Sequence, residues 1–176
     1  AGMKTVGKHF PGHGFVVHDT HHDIAHDDRE FNEILEKDCF PYQQLIEEDL
    51  LFGIMPAHVI YSQLDNQPAG FSKFWLQEIL RQKLRFNGII ISDDLIMQGA
   101  AIMGDVISRA CIALDAGCDR LLVCNNRFEA VKVIEGLERK SYSVKEWACE
   151  KEPSLSYEQL KNNKQWQQSV AIASKM

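Results

Sequence analysis

The sequence predicts an α/β fold built on a parallel sheet, and three observations predict it. Short apolar runs alternate with longer amphipathic ones along the chain, the pattern of repeated strand-helix units. The run GIIIS at 88–92 is continuously apolar and β-branched, as in a strand covered on both faces. Chemistry-bearing side chains close or follow these runs: Lys8 and His9 the first, His58 the second, Asp93 the third. Carboxyl ends of parallel strands are where barrel and open-sheet proteins assemble their sites.

In chain order, the first strand is expected over 5–10. The stretch 11–29 has few core-type residues and many His and Asp, so it reads as a long loop after a strand. A helix over 40–49 places Leu45 and Ile46 on one face. The second strand is expected over 52–57. A helix over 72–84 follows, with Phe74, Trp75, Ile79 and Leu80 near helical spacing and Ser72 as its cap. After the strand at 88–92 come a helix over 106–116 ended by Gly117, a fourth strand over 120–124 and a helix over 127–139. Two regions result: 1–140, which carries the strand-helix units, and 141–176, a polar helical tail with Trp166 and Val170 as anchors.

Composition limits the function classes. With 176 residues, 45% hydrophobic and 25% charged, the chain has the make-up of an ordinary globular domain with a sizeable core. A formal charge of −6 and a pI near 5.6 argue against nucleic acid or an anionic membrane surface as partner, since both favour a basic face. A small neutral or weakly charged ligand fits better. No apolar run approaches the roughly 20 residues that span a bilayer, and the first ten residues lack the apolar core of a signal peptide, so a cytoplasmic location is expected. Cys39, Cys111, Cys118, Cys124 and Cys149 are odd in number with no CxxC spacing, and read as reduced, structural residues.

Six of the seven histidines, His9, His13, His18, His21, His22 and His26, crowd between 9 and 26, interleaved with Asp19, Asp23, Asp27 and Asp28. Three readings account for this: a metal site, a solvated polar loop without chemistry, and acid/base work. The spacing matches no named helical zinc motif, so no metal is expected and acid/base chemistry leads. Ser92-Asp93-Asp94-Leu95 forms the second constellation. Neighbouring residues of a strand point oppositely, so Asp93 and Asp94 should not share a role; one caps the following helix and the other is free for chemistry. Lys8, His9, His58 and Asp93 converge on one crevice if the strands are parallel.

Lys8-His9-Phe10-Pro11-Gly12-His13-Gly14 resembles the KHFPGHG signature of the β-N-acetylglucosaminidases of glycoside hydrolase family three. Asp19-Thr20-His21, the segment IMPAHVIY at 54–61, SDDL at 92–95 and LDAGCD at 114–119 are similar to further family segments in the same order, so the resemblance covers roughly 3–137. It implies a (β/α)8 TIM barrel, of which four strand-helix units, the C-terminal half, are recognisable here, with the N-terminal half-barrel as a missing partner. The implied reaction is removal of terminal β-linked N-acetylglucosamine with retention, without a cofactor. The implied substrate is a small carbohydrate, a muropeptide of GlcNAc-1,6-anhydro-MurNAc type from peptidoglycan recycling or a chito-oligosaccharide. Asp93 matches the nucleophile, His21 oriented by Asp19 matches the general acid/base, and Lys8 and His9 match residues that bind sugar hydroxyls, with His58 grouped beside them. Two other classes stay open: a non-catalytic sugar-binding half-barrel and a metal-dependent hydrolase.

Overall fold

The computed structural model of the chain describes residues 4–17, 24–140, 142 and 156–173. These fall into two compact units, one within Lys4–Lys145 and one that includes the stretch from Glu146 onward.

The first unit is built on a parallel sheet of four strands, β1 (Val6–Phe10), β3 (Gly53–Pro56), β5 (Ile89–Asp94) and β6 (Arg120–Leu122), in the order β1-β3-β5-β6. These are the four expected strands. A second, smaller parallel pair joins β2 (Ala25–Asp27) to β4 (Val59–Tyr61). Neither of these was expected: β2 interrupts the stretch read as one loop over 11–29, and β4 follows β3 after two residues. Helices α1 (Phe31–Lys37), α2 (Cys39–Glu47), α3 (Val106–Ala116) and α4 (Arg127–Arg139) lie between and after the strands.

Local chemistry fixes the helix ends. The Asp105 carboxylate accepts from Ser108 N at 2.7 Å to start α3, and the Asn126 side chain accepts from Glu129 N at 3.1 Å to start α4. At the end of α3, Gly117 has φ +123°, a conformation that favours glycine, and a Cβ there would also push the Gln77 side-chain amide aside. The helix expected over 72–84 spans Phe74–Lys83 and is wide, with Leu84 N donating to Ile79 O, five residues back, at 2.8 Å. Ser72 caps it as expected, accepting from Trp75 N at 3.1 Å.

The sheet has two unlike faces. Phe10, Ile54, Ile90 and Ser92 are buried against the helices, while Lys8, Met55, Ile91 and Asp93 line the opposite, partly exposed face, with Lys8 and Met55 in register. Behind the carboxyl end of β1, Phe10, Tyr42, Tyr61 and Trp75 pack edge-on or tilted, with ring centroids 4.9 to 6.1 Å apart for the pairs Tyr61–Trp75, Phe10–Tyr42 and Phe10–Trp75. Burying one such ring contributes about 1.5–3 kcal/mol, so this cluster fixes where β1 ends.

The second unit holds two short helices, α5 (Tyr157–Lys161) and α6 (Lys164–Ala173). Trp166 and Val170, the anchors expected there, are 40% and 46% exposed. Cys39, Cys111, Cys118 and Cys124 are free thiols. Burial raises the Cys39 and Cys118 thiols to about 12. Cys149 lies outside the described residues.

Candidate active site

The carboxyl end of β5 presents two adjacent carboxylates with different surroundings. Asp94 is tied into the main chain: its Oδ1 accepts from Ile96 N and from Cys124 N, both at 3.1 Å, and its carbonyl accepts from Met97 N at 3.2 Å. Beside it, Ser92 Oγ accepts from Leu122 N at 3.0 Å, so β5 and β6 are joined by side chains as well as by their ladder. Asp93 is 13% exposed, and its Oδ1 accepts from Asp94 N at 2.9 Å. Its Oδ2 faces His9, whose Nε2 is 3.5 Å away.

His9 is 29% exposed at the end of β1 and lies edge-on to His13, with ring centroids 6.0 Å apart. The Lys8-His9 and Phe10-Pro11 peptide bonds are both cis. Lys8 is exposed on the same sheet face as Met55.

His58 is placed differently. It is 0% exposed, its ring stacks on Phe71 with centroids 5.2 Å apart and planes 11° from parallel, and its Nε2 lies 3.1 Å from the Asp94 carbonyl. A carbonyl only accepts, so Nε2 carries the hydrogen and donates. Burial lowers the imidazole below its ordinary pKa, against the opposing pull of Asp93 and Asp94, so the ring is held uncharged. The structure therefore brings His9 and Asp93 together in the crevice and puts His58 behind them. Asp19 and His21 lie outside the described residues.

An ionic hub that the sequence did not reveal sits next to this crevice. Arg29 donates from Nε and Nη2 to both oxygens of Asp27, the shortest contact being 2.7 Å, and from Nη1 to Asp38 Oδ2 at 2.7 Å. Phe15 lies over the guanidinium at 4.2 Å, and Tyr61 OH donates to Gly12 O at 2.7 Å. These contacts hold the glycine-containing turn after β1 against β2 and α2. Gly12 has no room for a side chain: a Cβ would lie 2.4 Å from Asp38 Oδ1 and 2.5 Å from Asp38 Cβ. Gly12→Ala is expected to cost about 1–3 kcal/mol by overpacking, read as a lower urea midpoint; an unchanged midpoint would mean that the turn is free to move off Asp38.

Among the described residues no group of three or more His, Cys, Asp or Glu side chains is arranged to hold a metal ion. His18, His21 and His22 are outside that set.

The class that fold and site define is an α/β domain of parallel strand-helix units with a carboxylate and an imidazole at its strand ends. More narrowly, the chain belongs to the glycosyl hydrolase family 3 N-terminal domain family, whose profile matches residues 1–148. It is 58% identical over 138 residues to a beta-hexosaminidase of Tolumonas auensis, a match covering 78% of this chain and 41% of that protein. It is 50% identical over 173 residues to a beta-hexosaminidase of Idiomarina loihiensis, covering 96% of this chain and 52% of that one. Among solved structures, NagZ from Neisseria gonorrhoeae in complex with N-trifluoroacetyl-D-glucosamine superimposes with a TM-score of 0.78 at 38% identity, over 97% of this chain and 50% of NagZ. The chain thus spans about half the length of the relatives it matches.

Proposed function

We propose that this chain supplies the catalytic half of a retaining exo-β-N-acetylglucosaminidase, with Asp93 as nucleophile. The single observation that carries this is the division of labour at the end of β5. Asp94 is consumed by main-chain bonds, whereas Asp93 Oδ2 is left facing His9 in the crevice. The family membership and the beta-hexosaminidase relatives support the same reading.

In the first step Asp93 Oδ2 bonds to the anomeric carbon as the bond to the leaving oxygen breaks, and His21 gives that oxygen its proton. In the second step His21 takes a proton from water, which attacks the anomeric carbon and releases Asp93. Most retaining glycosidases use a second carboxyl here. An imidazole, oriented by Asp19, titrates closer to neutrality and serves both steps. Lys8 and His9 hold sugar hydroxyls beside Asp93. The natural substrate in this proposal is a GlcNAc-1,6-anhydro-MurNAc muropeptide of peptidoglycan recycling, handled in the cytoplasm.

The four-stranded sheet is the C-terminal half of a (β/α)8 barrel, and 141–176 is a polar helical tail. Two features support the half-barrel. Both outer strands, β1 and β6, have an unpaired edge among the described residues. A groove of about 430 Å³ beside β6 is lined by Leu121, Val123, Val133, Ile134 and Leu137, with Ile134 57% exposed. Apolar surface of this kind is covered when further strand-helix units close the barrel.

The test is hydrolysis of 4-nitrophenyl N-acetyl-β-D-glucosaminide by the chain alone and by the chain joined behind the N-terminal remainder of the Tolumonas auensis relative. Turnover by the joined protein is expected; a folded joined protein without turnover would overturn the assignment. His21→Ala in that protein is expected to slow substrates with poor leaving groups far more than 4-nitrophenyl ones, because a good leaving group needs little protonation. Equal losses on both would remove His21 as the acid.

A further inference from the structure

β3 and β5 pair in register at Gly53–Ile89 and Ile54–Ile90, and the ladder goes no further. The reason lies in the sequence. Ala57 N donates toward β1, to Phe10 O at 2.8 Å. Main-chain donors alternate sides along a strand, so the donor due to point at β5 next is that of residue 56, which is proline and has none. Continued in the same register, residue 58 comes level with Asp94, and there the His58 side chain donates to the Asp94 carbonyl at 3.1 Å.

We propose that His58 is a positioning residue for Asp93: its Nε2–H ties β3 to β5 beyond the point where Pro56 ends the ladder, and so sets where the end of β5 holds its carboxylate. The inference rests on the nucleophile assignment above for its catalytic consequence, but its structural core does not.

The surroundings of His58 fit this role and not sugar binding. The ring is fully buried, stacked on Phe71, and a Cβ on Gly70 would sit 3.6 Å from Nδ1, so Gly70 lets the main chain come close to the ring. Nδ1 has no hydrogen-bond partner among the described residues. A proton there would therefore be a buried, unpaired donor, which disfavours both the imidazolium and the other tautomer. The charged and titratable groups nearest to the ring are Asp93 and Asp94 on β5 and His9 on β1. Asp94 in turn gives its own N–H to Asp93 Oδ1 at 2.9 Å, so a shift of the Asp94 peptide moves the Asp93 carboxylate directly.

The first experiment is ¹⁵N-histidine NMR of the full chain. His58 is expected as the Nε2–H tautomer without titrating between about pH 5 and pH 8; an Nδ1–H tautomer or titration in that window overturns the proposal whether or not the chain turns over substrate. In the joined protein, His58→Ala is expected to lower kcat by roughly 10- to 100-fold with KM within about twofold, since an ångström of misplacement at a reacting atom is worth about that much. His58→Gln, which keeps an N–H at similar reach, is expected to recover most of the loss. A raised KM with unchanged kcat, or equal losses in both variants, would place His58 on the sugar or in a purely structural role instead.

Discussion

Asp93→Ala is expected to lower hydrolysis of 4-nitrophenyl N-acetyl-β-D-glucosaminide by the joined protein more than about 10³-fold, because in the proposed mechanism Asp93 forms the glycosyl-enzyme bond. Stability should change far less, since among the described residues Asp93 makes one local hydrogen bond, from Asp94 N, worth about 1 kcal/mol. Asp93→Asn sharpens the test. It keeps an acceptor for Asp94 N and nearly the same shape, yet lacks the nucleophilic oxygen pair, so its rate should be as low as that of the alanine variant. Asp94→Asn is the counterpart: its Oδ1 still accepts from Ile96 N and Cys124 N, and near-normal rates are expected. Trapping with a 5-fluoro-N-acetylglucosaminyl fluoride should add the sugar mass to the peptide containing Asp93. Loss of activity in Asp94→Asn with retention in Asp93→Asn would exchange the two assignments.

The strands of the main sheet were legible because short, largely apolar runs alternate with longer amphipathic ones, and the end of α3 because Gly117 marks it. What escaped the sequence depended on register. β2 is three residues, Ala25-His26-Asp27, with no apolar alternation of its own, and exists because its backbone pairs with Val59–Tyr61. β4 in turn was hidden by its closeness to β3, since Pro56, Ala57 and His58 read as the end of one strand and not as a step between two sheets. The same step explains His58. A strand-end histidine looks like a ligand-binding group until the strand is placed against β5, and only then does its level with Asp94 become visible. Asp93 and Asp94 were separable in principle from strand alternation, but the amides that occupy Asp94, those of Ile96 and Cys124, become neighbours only when β5 and β6 pair. The hub of Asp27, Arg29 and Asp38 was the least legible, because its acids sit among many others around the histidine-rich stretch and nothing local tells which of them is buried.

That hub is also where the largest stability effect is expected. Arg29→Met should cost the chain about 3–5 kcal/mol, the usual loss when one partner of a buried ion pair is removed and the other keeps its charge. Asp27 is 0% exposed and receives Arg29 on both oxygens, so methionine leaves it without a cation and without those bonds. Arg29 itself is held more firmly protonated, chiefly by its bond to Asp27. A surface pair gives the contrast: Lys37 and Glu33 are 67% and 40% exposed, and Lys37→Met should change stability by less than about 0.5 kcal/mol. Urea denaturation with the slope checked for constancy reads both. The double variant Asp27→Asn with Arg29→Met should recover part of the loss, since it removes the orphaned charge as well as its partner. A single Arg29→Met variant within about 1 kcal/mol of the parent would mean that water or another cation reaches Asp27, and that the turn carrying Gly12 is not held by this hub.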